Sequence, residues 1–370
     1  MNFLKKYQLK NYNFILVAAV VILSVIGILS VGSAQDSSQS KQIIGVVLGI
    51  VVMLVISVVD FEWVLNFYWV IYLANILLLL CVEFFGVTYN GAQRWIDLKF
   101  TTFQPSDLTK IFLILFFAKF ITNHEHRMND IRTIVKCVLL VAPSLYLIVT
   151  QPNLSNTICI AAVFCVLMFL GGLSYKFIGI AFAVAIPAVA IFIGIALLPN
   201  QPFLKDYQQE RILAWIYPEE YASDTGYQQQ NSIMAIGSGQ LNGKGLNNNT
   251  TTSVKNGNFL LEAETDFIFA IIGEELGFIG CCAVIFLLLL IILQCIIIGT
   301  RAQSLAGQII CGGVAALIGF QSFINMGVAT GVLPNTGLSL PFVSAGLTSI
   351  VCFYMGIGFV LNVGLQPKKY

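Results

Sequence analysis

Charged side chains are what this chain has least of. Asp, Glu, Lys and Arg make up 10% of its 370 residues, against about 25% in an average soluble chain. That shortage excludes an ordinary soluble enzyme: the chain is 58% hydrophobic with a mean hydropathy of +0.86, and too little polar surface remains to cover such a core. A basic field is missing too. The 19 Lys and Arg stand against 18 Asp and Glu, a net charge of +1, so nothing attracts a phosphate backbone and nucleic acid is excluded as a partner. Paired thiols are also absent. The nine cysteines (Cys81, Cys137, Cys159, Cys165, Cys281, Cys282, Cys295, Cys311 and Cys352) all fall in apolar runs, and no C-x-x-C occurs. A disulfide framework and a thiolate zinc site are thereby excluded, leaving small buried hydrophobes. No internal repeat argues for an inverted-repeat transporter.

What is present is a series of long apolar runs. A helix needs roughly 20 apolar residues to cross a bilayer. Ten candidates follow one another at about 13–33, 43–59, 63–86, 107–122, 133–150, 155–172, 176–199, 266–299, 308–332 and 343–364. The fold class is therefore an all-α polytopic membrane protein of about ten transmembrane helices, in one membrane domain spanning 1–370. The first run follows Lys5, Lys6 and Lys10 and is too long for a signal-peptide core, so it reads as a retained signal-anchor. The eighth is long enough to contain an interfacial turn before its true span. With both termini in the cytoplasm, the inner segments hold nine basic residues (Lys5, Lys6, Lys10, Arg127, Arg132, Lys176, Arg301, Lys368, Lys369) and the outer short loops four (Lys41, Arg94, Lys99, Lys110), which satisfies the positive-inside rule. One large extracytoplasmic loop, about 200–265, then joins helices 7 and 8. Within it, Arg211 to Tyr217 has helical spacing and stops at Pro218, and 226–236 forms a second short helix ended by Gly237 and Gly239.

Ionisable groups at membrane depth are costly and mark functional candidates. Lys119 and Lys136 lie near inner helix ends, where they snorkel, and Glu83 reaches water at an outer end. Asp107 and Lys110, in Gln104 to Lys110 (QPSDLTK), open the fourth span. Ser106 and Asp107 suit a helix N-terminus, and Asp107 and Lys110 are three apart on one face. They read either as a capped, self-neutralised helix start or as the charged wall of an outward-facing cavity. Upstream, Arg94 beside Trp95 suits an interfacial helix. Glu262, Glu264 and Asp266 alternate just before the eighth run, and Glu274 and Glu275 interrupt it, so these last two must face a cavity, another helix or an interface. Gly237 to Gly245 (GSGQLNGKG) fails the Walker A pattern, having Ser238 where Gly is required and no Ser or Thr after Lys244; such a loop can still hold a phosphate through backbone N–H groups. His124 and His126 around Glu125 read as a solvated turn.

These motifs together resemble the SEDS family, the FtsW/RodA/SpoVE group of cell-wall polymerases. The matching segments are Gly91 to Leu98 (GAQRWIDL), FQPSDLTK ending at Lys110, Gln151 to Asn156 (QPNLSN), Asp224 to Leu246, Thr265 to Gly280, and Asn325 to Ser349 (NMGVATGVLPNTGLSLPFVSAGLTS). They occur in the family's order and cover nearly the whole chain. The resemblance implies a peptidoglycan glycosyltransferase of the bacterial cytoplasmic membrane that polymerises lipid II at the outer face, for division, elongation or sporulation, beside a class B penicillin-binding protein. It implies Asp266 as the catalytic carboxylate and assigns substrate binding to Arg94, Gln104, Ser106, Asp107, Lys110, Gln151, Lys244 and Glu264.

The chemistry suits those residue types. A sugar hydroxyl loses a proton as it attacks an anomeric carbon, which calls for a carboxylate within reach. The lipid pyrophosphate that leaves gains charge, which Arg, Lys, backbone N–H groups or a divalent cation (Mg or Mn) must stabilise. The chain departs from the family at Asn153, where an Asp is usual, at Ser344-Ala345-Gly346-Leu347, where Ser-Tyr-Gly-Gly is usual, at Asp107 in place of Glu, and at Asn231 in place of Gln. Two other readings compete: a lipid II flippase, which needs polar groups through the full depth of the bundle, and a non-catalytic scaffold for a penicillin-binding protein. The polar candidates cluster at the outer side, which favours chemistry there.

Overall fold

The computed structural model describes residues 9–89, 92–97, 102–198, 201, 206–221, 226–247 and 260–366. Thirteen α-helices are described: α1 (Phe14–Ala34), α2 (Asp36–Val58), α3 (Phe61–Leu65), α4 (Tyr68–Phe85), α5 (Pro105–Asn123), α6 (Ile131–Thr150), α7 (Leu154–Leu170), α8 (Tyr175–Ala196), α9 (Asp206–Ile216), α10 (Tyr227–Ser238), α11 (Ile268–Thr300), α12 (Leu305–Ala329) and α13 (Leu347–Gly364). Eight of them, α1, α2, α4, α6, α8, α11, α12 and α13, are long and apolar enough to cross a membrane. The other two expected spans are present as helices too. α7 has 17 residues, and the 19 residues of α5 include Asp107, Lys110 and Lys119. The third expected span is not one helix: Asp60 caps the short α3, and a turn at Asn66 and Phe67 precedes α4. The chain is thus an all-α, multi-pass membrane protein.

Side chains at helix starts fix several boundaries. The carboxamide of Asn13 accepts from the N–H of Leu16, Asp130 from Arg132 and Ser304 from Gly307, each satisfying a donor the helix leaves open. Pro105 opens α5, where its missing N–H costs nothing. Pro143 and Pro187 lie inside α6 and α8, as membrane helices tolerate. α5, α12 and α13 form the buried middle of the bundle, whereas α8 is exposed along most of its length. The apolar side chains on the outer faces, such as Leu73, Leu77, Phe286 and Leu289, are exposed, as a lipid-facing surface requires.

The described residues between 87 and 103 are not helical. β1 (Val87–Tyr89), β2 (Ala92–Asp97) and β3 (Thr102–Phe103) form an antiparallel sheet in the order β1-β2-β3, with Val87 opposite Trp95 and Ile96 opposite Phe103. Arg94 and Trp95 therefore sit on a strand, which corrects the interfacial helix expected for them. The β-branched and aromatic residues Val87, Thr88, Tyr89, Trp95 and Ile96 favour this, and the intervening Asn90-Gly91 is the signature of a two-residue hairpin. The Gln93 carboxamide donates to the carbonyls of Val82 (3.1 Å) and Gly86 (3.0 Å) and so ties the sheet to the end of α4.

α11 has 33 residues, about 50 Å at 1.5 Å per residue, well beyond the ~30 Å of a bilayer core. Gly277 divides it. At φ +66° and ψ −163° it occupies a region that costs a side chain dearly, and the hydrogen-bond ladder breaks there. In an unbroken helix Phe278 and Ile279 would donate to the carbonyls of Glu274 and Glu275. Here those two N–H groups go to Gln240 O (2.8 Å) and Leu241 O (3.2 Å), while the two carbonyls accept from Lys244 N and Gly245 N, each at 2.9 Å. The glycine-rich segment after α10 thus exchanges four hydrogen bonds with the broken helix. This accounts for the interfacial turn expected early in the eighth run.

Candidate active site

The start of α5 is the first part of the site. Gln104 precedes the helix, and its carboxamide donates to Ser106 Oγ at 3.1 Å. Ser106, almost fully buried, also accepts from Asn156 Nδ2 (3.2 Å) and Asn153 Nδ2 (3.5 Å). Asn153 caps α7, accepting from the Asn156 N–H; a neutral carboxamide can donate to Ser106 where a carboxylate could only accept. One turn into α5, the Lys110 ammonium donates to Asp107 Oδ1 (2.9 Å) and to Gln321 Oε1 of α12 (2.8 Å). Asp107 is 6% and Lys110 3% exposed. The space beside Lys110, lined by Leu113, Phe117, Ile160 and Phe164 among others, is about 10 Å³, barely enough for one water. In this structure the pair is therefore an internal brace and not the wall of an open chamber. Gln321 extends it, donating to Ser339 O (3.0 Å) and Ser339 Oγ (3.2 Å), and Ser339 Oγ meets Ser349 Oγ at 2.9 Å.

Ser339 belongs to the second part, the irregular segment 330–346 between α12 and α13. This segment is bound to the turn that precedes α11. Ser344 Oγ donates to Thr265 O (2.6 Å), the Ala345 N–H donates to Glu264 O (2.8 Å), and Asn325 Nδ2 donates to Asp266 O (2.8 Å) and Leu338 O (2.6 Å). Asp266 is thereby fixed just outside α11. Its carboxylate lies against Gly337, where an added Cβ would come within 3.0 Å of Asp266 Oδ2; Gly337 also has φ +69°, so both space and backbone demand glycine there.

Arg94 and Arg211 complete the surroundings. From β2, the Arg94 guanidinium donates to Gln151 O (3.2 Å) and to Pro152 O, in the turn between α6 and α7. Gln151 is buried, and its side chain donates to Leu79 O (3.1 Å). From α9, Arg211 Nη1 donates to Asn335 O at 3.4 Å, and Trp215 Nε1 donates to Gly331 O at 3.2 Å. α10 docks beside them, with Gln229 Nε2 donating to Val328 O (2.8 Å) and Ser232 Oγ to Ala329 O (2.7 Å). Burial is the main force on the Asp266 carboxyl and pushes its pKa up from 3.8 to about 6. Glu262 adds to that, Arg211 and Arg94 oppose it, and Glu264 raises it further. A carboxyl of this kind gives up or takes a proton near neutral pH and suits general acid–base work.

Lys244, Glu274 and Glu275 find their partners around the break in α11. Lys244 pairs with the buried Glu274 at 2.8 Å, and its own N–H and that of Gly245 are committed to α11. The glycine-rich segment thus spends these two N–H groups on α11, and Lys244 braces the broken helix. Glu275, equally buried, accepts from Ser33 Oγ of α1, so both acids face protein. Arg211 was not among the residues singled out, although its segment was read as a helix. Among the described residues no group of three or more His, Cys, Asp or Glu is placed to hold a metal ion. The cysteines are all free thiols, most of them buried, with Cys165 and Cys282 exposed on the apolar exterior.

The chain matches known proteins over nearly its full length. The model of the FtsW/RodA/SpoVE family, described as cell cycle protein, matches residues 8–369. The peptidoglycan glycosyltransferase MrdB of Escherichia coli K12 is 34% identical over 99% of this chain and 96% of its own length. The probable peptidoglycan glycosyltransferase FtsW of Geobacter sulfurreducens is 31% identical over 98% and 97%. A solved chain from a peptidoglycan synthase complex, described as coordinating polymerisation and crosslinking, has a TM-score of 0.78 at 28% identity, covering 95% of this chain and 97% of that one. The RodA crystal structure from Thermus thermophilus shares the fold, with a TM-score of 0.72 at 24% identity over 97% and 98%.

Proposed function

Since this chain belongs to the FtsW/RodA/SpoVE family and is a multi-pass membrane peptidoglycan glycosyltransferase, we propose that it polymerises lipid II at the outer face of the bacterial cytoplasmic membrane, with both termini in the cytoplasm. Asp266 is the general base. It takes the proton of the acceptor sugar hydroxyl as that oxygen bonds to the anomeric carbon of the donor. The bond from that carbon to the donor's phosphate oxygen breaks, and the lipid pyrophosphate leaves with the electron pair. The observation that carries this reading is the Asp266 carboxyl itself: held by its backbone to α12, set against Gly337, and lifted to a pKa of about 6, it is ionised at neutral pH yet basic enough to accept a proton.

The remaining residues divide by what they touch. Arg94, Gln104, Ser106, Gln151 and Glu264 border the substrate path. Asp107 and Lys110 act on the site through Gln321 and Ser339, and Lys244 through α11. A magnesium or manganese ion would be held chiefly by the substrate's phosphate oxygens and water, where it would neutralise pyrophosphate charge. The partner is a class B penicillin-binding protein that crosslinks the new glycan, a reading supported by the likeness to a chain from a polymerising and crosslinking complex.

The test is polymerisation of purified lipid II by the full chain with its partner. Wild type makes glycan, and Asp266→Asn lowers the rate at least ~100-fold without changing the unfolding midpoint. Normal polymerisation by Asp266→Asn would remove the base assignment. Transport of lipid II across vesicles with no glycan formed would replace the whole reading by a flippase.

A further inference from the structure

We propose that Arg211 and Arg94 flank Asp266 as a two-arginine anion subsite for the lipid-linked pyrophosphate. The proposal rests on the glycosyl-transfer reading above and adds to it a cation from the large loop.

Three consecutive residues of the segment between α12 and α13 bring the pieces together. Asn335 O accepts from Arg211 Nη1, Thr336 O accepts from Ser155 Oγ, and Gly337 stands against the Asp266 carboxylate. Successive Cα atoms are 3.8 Å apart, so the α9 guanidinium, the first turn of α7 and the carboxylate meet along one short stretch of chain. Arg94, from β2, reaches the turn between α6 and α7 that leads into that helix start. Its two bonds fall on Gln151 and Pro152, four and three residues before Ser155.

The electrostatics agree with this placement. Both guanidinium groups act on the Asp266 carboxyl and draw its pKa down against the larger push of burial and Glu262. The charged groups that bear on Asp266 come from three elements: Glu262 and Glu264 from its own turn, Arg211 from α9 and Arg94 from β2. A second observation points to a polar ligand. The Thr336 hydroxyl, between the residues that meet Arg211 and Asp266, is buried with no hydrogen-bond partner among the described residues, a state native structures rarely leave unfilled.

The chemistry selects the ligand class. Planar guanidinium forks match phosphate oxygens two at a time. A diphosphate joined to the anomeric carbon must lie within a few bonds of the hydroxyl that Asp266 deprotonates. Two cations on either side of the base can meet the charge that grows on the leaving oxygen while keeping the base ionised.

Binding to the full chain in nanodiscs, with undecaprenyl pyrophosphate, undecaprenyl phosphate and inorganic pyrophosphate as probes, tests this. Arg211→Gln removes the charge and the guanidinium fork and leaves a shorter neutral donor. It is expected to weaken undecaprenyl pyrophosphate binding roughly ten- to hundred-fold, with a smaller loss for the monophosphate. Arg211→Lys is expected to recover part of the affinity. The acid limb of the pH–rate profile should move to higher pH in Arg211→Gln, because a cation that lowered the Asp266 pKa is gone, and a purely structural role would leave that limb in place. Unchanged pyrophosphate affinity and an unmoved acid limb in Arg211→Gln would overturn the proposal, as would equal loss for all three probes in a variant whose unfolding midpoint has fallen. Weakened binding by Arg211→Gln alongside an active Asp266→Asn would keep the anion subsite and remove only the base.

Discussion

Replacing Lys110 by Met separates a structural ion pair from a substrate contact. Methionine keeps most of the stem's volume and removes the ammonium. Asp107, 6% exposed, then loses its partner at 2.9 Å, and Gln321 loses a donor at 2.8 Å. Breaking one side of a buried pair costs about 3–5 kcal/mol. An orphaned amide oxygen costs about 1–3 kcal/mol, part of which Gln321 recovers by reorienting. A net loss of about 4 kcal/mol lowers the unfolding midpoint by roughly 8 °C, at about 2 °C per kcal/mol for a large chain. Adding Asp107→Leu removes the stranded carboxylate, and the double variant should regain most of that loss, a strong departure from additivity. Intrinsic tryptophan fluorescence during heating measures stability, and lipid II polymerisation well below the lowered midpoint measures function. A midpoint within 1 °C of wild type for Lys110→Met, or a double variant no better than the single, would refute the brace. Recovery of stability without recovery of polymerisation would show that Lys110 itself meets substrate.

The other expectations concern the base and its supports. Because the Asp266 pKa is raised to about 6 and the ionised form is the base, the polymerisation rate should fall about ten-fold per pH unit below pH 6 and level off above it; a flat profile down to pH 5 would count against this carboxyl. Gly337→Ala forces a side chain into φ +69° and sets its Cβ 3.0 Å from Asp266 Oδ2; it should cost about 1–2 kcal/mol of stability but lower kcat at least ten-fold, a split read by comparing melting with turnover. Lys244→Met strands Glu274, which is 1% exposed; with Lys244 itself partly in solvent, the loss should be about 2–3 kcal/mol, and Lys244→Met combined with Glu274→Met should reverse it in the same melting assay.

Much of the framework was legible because a bilayer imposes a simple length rule on apolar runs. All ten runs became helices, and the two short helices of the large loop appeared where Pro218 and the glycines bracket them. The rule failed where a run hides a break. Asn66 and Phe67 interrupt the third run without lowering its hydropathy, so α3 and α4 read as one. The sheet at 87–103 was missed because strands of two to six residues carry little periodicity, although Asn90-Gly91 between β-formers was a usable hairpin signal. At the site, Asp266 stood out because an acid beside a very apolar run is conspicuous. Arg211 did not, because in a polar loop one cation resembles any other until the chain folds. The partner of Lys244 was hidden for the same reason, since Glu274 lies 30 residues away in sequence.

The clasp between the glycine-rich segment and α11 has a consequence for how this protein can vary through evolution. Surface loops ordinarily tolerate insertions and deletions, because their backbone groups are solvated. Here Gln240, Leu241, Lys244 and Gly245 each supply one backbone partner to the break at Gly277, so the segment behaves as a piece of helix that happens to arrive from elsewhere in the chain. Removing or adding one residue between Leu241 and Lys244 would put one pair of bonds out of step with the other and leave backbone groups of the buried Glu274 and Glu275 unpaired. Related chains should therefore vary freely in length elsewhere in the large loop while keeping the spacing from Gln240 to Gly245 fixed, even where the side chains in that stretch differ.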